Sequence, residues 1–203
     1  MELDDVGAIV AQGLTQGLEA ISGRQGVDLI CAALPEILDR HPGWRAVLML
    51  NDWDRYADWA EPHVAPLSRY GDRVQILRSA PLAEVRAVMQ TAAIALTPSV
   101  WAEPLGLTAL EAHAAGAALI SSGRGGLREA SGPHALYVDD LTPQGLGAAM
   151  ETLIRDPEGR EAMARSAQAY VMDVHTPERR AAQLAALRAK LVQTKRAGRP
   201  TGR

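Results

Sequence analysis

Short apolar runs recur along this chain, separated by segments with a helical period. The runs are Arg45–Leu50, Arg73–Leu77, Ile94–Thr97, Ala117–Ser121 and Leu136–Val138. They are continuous rather than alternating, as expected of strands buried on both faces. Strand and helix signals alternate at least four times. That order predicts an α/β domain: a single, doubly wound parallel sheet of about five to six strands, followed by helices. Ligands in such sheets bind at the carboxyl ends of strands, beside the helix amino termini that follow. This rule selects the loops Gly23–Gly26, Thr97–Leu107 and Ser121–Leu127.

The helical segments have clear punctuation. Val27, Ile30, Cys31, Leu34, Ile37 and Leu38 form one face of a helix over Val27–Arg40, with Pro35 expected to kink or divide it. Asp52–Tyr70 reads as partly helical, interrupted by Pro62 and Pro66, and Pro81–Gln90 as a short helix. Thr142 is the expected N-cap of a helix to Arg155, which Asp156-Pro157 ends. A further helix carries Met163 and Ala167–Tyr170, and a last one starts at Thr176-Pro177-Glu178. The first 22 residues are harder to read. Val6, Ile9, Val10, Leu14, Leu18 and Ile21 fit an amphipathic helix, weakened by Gly7, Gly13 and Gly17, and Ile9-Val10 also fits a short strand. The expected organisation is thus residues 1–22 as a helical or degenerate strand segment, 23–175 as the Rossmann-like domain, 176–193 as a helix and 194–203 as a disordered basic tail.

The stretch from Pro98 to Gly116 carries the chemistry. Glu103 precedes a Pro suited to a first helical turn, Gly106 and Leu107 follow, and Glu111 lies two turns on, with Gly116 as the carboxyl cap. Between Pro104 and Ser122 only Glu111 and His113 can carry charge. A carboxylate in so apolar a segment requires polar partners. The helix start, near Leu105, Gly106 and Leu107, offers unpaired amides and partial positive charge to an anion. Two carboxylates flanking an anion site suit a ligand with a sugar, phosphates and a ribose. His113, about 200° around the helix from Glu111, is expected to face away as a structural residue.

Composition excludes several classes. A net charge of −3 provides no general attraction for nucleic acid. Basic residues are 19 Arg and 2 Lys, concentrated at Lys190–Arg203, where weak membrane-surface attraction is a minor expectation. The single Cys31 excludes an internal disulfide and a multi-cysteine metal site, and its apolar context predicts a core residue. The acidic start lacks a signal-peptide pattern, and no apolar run approaches the ~20 residues of a membrane span. The expected location is the cytoplasm, with no metal or cofactor. Trp53, Trp59 and Trp101 are expected to be packing residues.

The spacing Glu103-(seven residues)-Glu111 resembles the E-x7-E motif of group 1 (family 4) retaining glycosyltransferases, which have the GT-B fold. Its surroundings agree: Pro98-Ser99 before it, Glu103-Pro104-Leu105-Gly106-Leu107 at its start, and Glu111-Ala112-His113-Ala114-Ala115-Gly116 at its end. Gly125-Gly126-Leu127-Arg128-Glu129 resembles the family's G-G-L-P-E turn, Tyr137-Val138-Asp139 the L-V-x-P-like segment, and Arg73–Leu77 the R-V-x-F-L-G strand. Gly26-Val27-Asp28-Leu29 and Leu34–Leu38 resemble the K-G-V-D-L helix. The matches keep their order from about Gly23 to Tyr170.

The resemblance implies the carboxy-terminal, donor-binding half of a GT-B enzyme, with a nucleotide-diphosphate sugar as substrate and a glycan or lipid-linked acceptor. Glu103 would contact donor-sugar hydroxyls and is the candidate catalytic residue. Gly106 and Leu107, with Thr108 beside them, would meet sugar or phosphate, Glu111 would hold the ribose, and Gly125-Gly126 would turn toward the ligand. The family's Arg and Lys that grip the diphosphate have no direct match: Gln25 stands in the Lys slot and Ala20 near the Arg slot, with Arg24 or Arg124 as substitutes. The amino-terminal acceptor domain has no counterpart in these residues. Two functions therefore stand open. One is an enzyme component needing an acceptor domain or chain. The other is a non-catalytic nucleotide-sugar-binding module or degenerate half-enzyme acting as an interaction partner.

Overall fold

In a computed structural model the chain is described over residues 7–13 and 26–197. Six strands, β1 (Ala8–Gly13), β2 (Arg45–Leu50), β3 (Val74–Arg78), β4 (Ile94–Thr97), β5 (Ala118–Ser121) and β6 (Leu136–Tyr137), form one parallel sheet in the order β3-β2-β1-β4-β5-β6. The helices are α1 (Val27–Arg40), α2 (Trp53–Val64), α3 (Leu82–Met89), α4 (Leu107–Ala115), α5 (Gly126–Ser131), α6 (Pro143–Arg155), α7 (Pro157–Val174) and α8 (Pro177–Ala197). This is the expected single, doubly wound parallel sheet with helices after it.

Successive side chains of a strand point to opposite faces, and here both faces are covered. Ile9 and Ala11, Leu48, Leu96 and Ile120 join one core layer beneath α1 and α6. Val10, Met49, Ala95 and Leu119 join the other, with residues of α3, α4 and α5. That two-sided burial is why the strands read as unbroken apolar runs.

Four readings of local structure are corrected. The helical alternative for the first segment fails at residues 8–13, which form β1 in the middle of the sheet. Val10 is fully buried there, and hydrogen bonds to β2 and β4 replace those of a helix. The rest of residues 1–22, with its candidate apolar positions, lies outside the described residues apart from Gly7. Pro35 neither divides nor ends α1. It forfeits one ladder bond, but Ile30, Cys31, Leu34, Ile37 and Leu38 on either side are buried together and hold the helix continuous. The carbonyl of Pro35 accepts from the Tyr70 hydroxyl at 3.0 Å. Pro62 similarly lies inside α2, and the break comes after Val64, in a 3₁₀ segment over Ala65–Arg73. Finally, α8 continues to Ala197, so residues 194–197 of the anticipated tail are helical.

The sheet order runs outward in both directions from β1 and β4. The crevice between their carboxyl ends is therefore the ligand position of an open α/β sheet. The loop after β4 and the amino terminus of α1 lie there. Gly26, at a φ of 76°, caps α1 against that loop: a Cβ on it would lie 2.6 Å from the Pro98 carbonyl oxygen.

Candidate donor-binding site

Glu103 stands on the loop between β4 and α4, and the loop is fixed by its neighbours. Residues 98–106 interlock with the glycine-rich turn after β5. Glu103 and Gly125 form an isolated parallel bridge, and the Gly126 amide donates to the Glu103 carbonyl at 2.6 Å. A Cβ on Gly125 would lie 2.4 Å from the Glu103 carbonyl oxygen, and one on Gly126 would lie 2.7 Å from the Leu105 Cα. Both positions therefore exclude side chains because two backbones touch there. The Arg124 guanidinium donates to the Val100 carbonyl and ties the turn to the loop a second time. The amide of Gly123 donates to the Ser121 hydroxyl at 3.1 Å and shapes the turn from within.

The side chain of Glu103 is held as firmly as its backbone. Its Oε1 accepts from the Ser99 hydroxyl at 2.7 Å and from the Trp101 indole N–H at 2.9 Å. Ser99 is buried and Trp101 half-buried. Sequence reasoning missed the role of both. Ser99 was visible only as part of a Pro-Ser pair, and Trp101 only as an aromatic residue near the motif.

Helix α4 begins at Leu107 rather than near Leu105, because Gly106 adopts a left-handed conformation with a φ of 74° as its N-cap. Pro104 consequently lies ahead of the helix, not in its first turn. No side chain caps this end, so the amides of Leu107 and Thr108 provide the partial positive charge of the helix terminus. Glu103, Gly106, Leu107, Thr108, Arg124, Gly125 and Gly126 thus come together. Arg24 and Gln25 lie outside the described residues.

Glu111 is in a different place. It is about 6 Å along α4 from Leu107 and lines a cavity of about 290 Å³ between α3 and α4, with Val85, Arg86, Met89, Gln90, Ala114 and Ala115. Burial raises its carboxyl pKa, and the Arg86 guanidinium opposes that shift. Arg86 carried no sequence signal, since an arginine on a short helix reads as a solvated residue until the facing helix is known. His113 faces away from this cavity side of the motif as expected. It is fully buried, neither ring nitrogen has a hydrogen-bond partner, and burial together with His134 and His175 pushes its pKa down to about 4. Cys31 is also buried, and its thiol is pushed up to about 12. Among the described residues no group of three or more His, Cys, Asp or Glu side chains could hold a metal ion, and no helix is long and apolar enough to cross a membrane.

Comparison with known proteins gives the family and the fold. The sequence profile described as "Glycosyl transferases group 1" matches residues 18–156. The chain is 33% identical over 151 residues to a glycogen synthase of Mycobacterium tuberculosis, covering 71% of this chain and 34% of that protein. It is 34% identical over 164 residues to a D-inositol 3-phosphate glycosyltransferase of Kineococcus radiotolerans, covering 70% and 37%. The chain thus spans about a third of the length of these curated relatives. Among solved structures, sucrose-phosphate synthase from Thermosynechococcus elongatus superposes with a TM-score of 0.73 at 24% identity, over 93% of this chain and 46% of that one. The carboxy-terminal domain of a group 1 glycosyl transferase (LpcC) from Francisella tularensis superposes at 0.69 and 21% identity, over 84% and 87%. Anabaena HepE, solved with UDP and glucose, gives 0.70 at 19% identity, over 89% and 49%. The fold is therefore that of one half of such an enzyme, matched over most of its length by the carboxy-terminal domain of LpcC, and the family profile spans more than half of the sequence: the chain belongs to the group 1 glycosyl transferases.

Proposed function

We propose that this chain binds a nucleotide-diphosphate sugar and presents it for glycosyl transfer to a glycan or lipid-linked acceptor, together with an amino-terminal acceptor domain or chain. The observation that carries this reading is the distribution of acceptors and donors along one helix. Glu103 stands before α4, uncapped amides stand at its start, and Glu111 lines the cavity beside it. Ribose hydroxyls donate to Glu111, whose ionised form they favour over the protonated one. The diphosphate meets the amides of Leu107 and Thr108, where Gly106 leaves the backbone open to close approach. Donor-sugar hydroxyls meet Glu103.

In such a transfer the bond between the anomeric carbon and the phosphate oxygen breaks, and negative charge grows on the departing diphosphate. Fixed amides at a helix terminus oppose that growth at no cost in reorganisation. The family's cationic pair would add to this, and Gln25 in place of its Lys predicts a weaker grip on the diphosphate. HepE, a neighbour in fold, was solved with UDP and glucose, which makes UDP-glucose a reasonable first probe.

Isothermal titration with UDP-glucose, ADP-glucose and GDP-mannose tests the reading. At least one is expected to bind, and Glu111→Ala is expected to weaken it by roughly ten- to a hundredfold, as when one hydrogen bond to a charged group is lost. Binding to none of them, or full affinity in Glu111→Ala, would refute it.

A further inference from the structure

A carboxylate that must accept from a sugar works best when the protein has already decided which oxygen faces the ligand. Each carboxylate oxygen accepts about two hydrogen bonds. At Glu103, Oε1 already has two donors, the Ser99 hydroxyl at 2.7 Å and the Trp101 indole N–H at 2.9 Å. No other hydrogen bond to this carboxylate occurs among the described residues, so Oε2 keeps its acceptor capacity. The loop carrying all three residues is pinned by Arg124 at Val100 and by Gly125 and Gly126 at the Glu103 backbone.

We infer that Ser99 and Trp101 are positioning residues: they hold Glu103 through Oε1 so that Oε2 alone is presented to the hydroxyl groups of the donor sugar. The inference rests on the donor-binding reading and deepens it at one residue. Neither donor needs to touch the ligand to act. Both neutralise part of the charge on Oε1 and remove the rotation by which the carboxylate would otherwise exchange its oxygens. A donor sugar that offers a hydroxyl proton at this point is selected. One that offers only an acceptor meets an oxygen that cannot donate. An amide at position 103 would be locked with its carbonyl toward Ser99 and Trp101 and its NH2 toward the ligand, reversing the polarity the sugar meets.

The test compares each nucleotide with its sugar conjugate, because positioning of Glu103 affects the sugar and not the nucleotide. Affinities for UDP and UDP-glucose (or the ADP or GDP pair, whichever the wild type binds) are measured for Ser99→Ala, Trp101→Phe and Ser99→Thr. Each is measured alone and in a Glu103→Ala background. The expected result is a roughly fivefold loss of the affinity gained from the sugar in Ser99→Ala and Trp101→Phe, with nucleotide affinity kept within about twofold. Ser99→Thr, which keeps the hydroxyl, retains the gain. In the Glu103→Ala background neither substitution has a further effect, since partners in one network do not add. Retained nucleotide affinity reports that each variant is folded. Equal losses for nucleotide and conjugate, no loss at all, or effects that persist without Glu103 would each overturn the positioning role while leaving donor binding intact. A wild type that binds no nucleotide-sugar would overturn both.

Discussion

Acidification should destabilise this fold, and His113 has the largest part in it. The side chain is 0% exposed, neither ring nitrogen has a partner, and its pKa falls from 6.5 to about 4. Burial is the main cause, because an imidazolium cannot be hydrated there, and His134 and His175 add to it. In the unfolded chain His113 takes up a proton as the pH drops through about 6.5; in the folded chain it resists until about 4. The unfolded state therefore binds more protons across that window, and stability rises with pH. Each tenfold difference in proton affinity is worth about 1.4 kcal/mol. His113 alone should thus remove about 3 kcal/mol between pH 7.5 and pH 4, a large share of an ordinary domain's stability. His113→Leu, similar in size and without polar atoms, removes that dependence. At neutral pH it should also gain roughly 1 kcal/mol by eliminating an unpaired buried donor and acceptor. Guanidinium unfolding of both proteins, followed by circular dichroism at four or five pH values, gives the difference directly. A stability gap that stays constant from pH 7.5 to pH 4 would refute the reasoning, as would a wild type that is the more stable at low pH.

Other substitutions and conditions test other parts of the account. Gly125→Ala should cost roughly 2–4 kcal/mol of unfolding free energy, because its Cβ would lie 2.4 Å from the Glu103 carbonyl oxygen at a φ of 58°; a neutral effect would mean that the two loops are not interlocked. Leu48→Ala, in the buried centre of β2, should cost about 2–5 kcal/mol, read as a lower denaturant midpoint with an unchanged slope. Native Cys31 should react with a thiol reagent only at the rate of unfolding, since its thiol is buried and its pKa is pushed up to about 12; fast labelling of the folded protein at pH 8 would contradict this. Nucleotide-sugar affinity should fall on acidification, starting at a higher pH than an ordinary glutamate would give, because burial raises the pKa of the free Glu111 and hydroxyl donors favour its ionised form. A pH-independent affinity between pH 4 and pH 7 would remove Glu111 from the site.

The fold was legible wherever a short segment declares its own environment. β2, β4 and β5 are buried on both faces and read as unbroken apolar runs, and Thr142 caps its helix as expected by accepting from the Gly145 amide; Asp156, expected only to end that helix, also caps the next by accepting from the Gly159 amide. What stayed open or escaped notice depends on partners distant in the chain. Ile9 and Val10 sit among residues with a helical spacing, and only pairing with residues 45–50 and 94–96 makes them a strand. Pro35 stays inside a helix because its neighbours are buried against the sheet, which propensity alone does not reveal. At the site the two motif carboxylates, Gly106 and the glycine pair stood out from spacing and resemblance. Ser99, Trp101 and Arg86 did not, because their significance lies in which atoms they meet. Arg124, considered a substitute for a diphosphate-binding cation, donates to the Val100 carbonyl of the motif loop.

The most direct test of the central claim is a crystal structure of this chain with the nucleotide-sugar it binds best. The account predicts ribose hydroxyls within about 3.2 Å of the Glu111 carboxylate. It places the diphosphate at the Leu107 and Thr108 amides and a sugar hydroxyl on Glu103 Oε2, with Ser99 and Trp101 still bound to Oε1. A nucleotide lodged elsewhere, for example in the cavity that α2 and β3 form around Leu67 and Ile76, with Glu103 and Glu111 untouched, would contradict it.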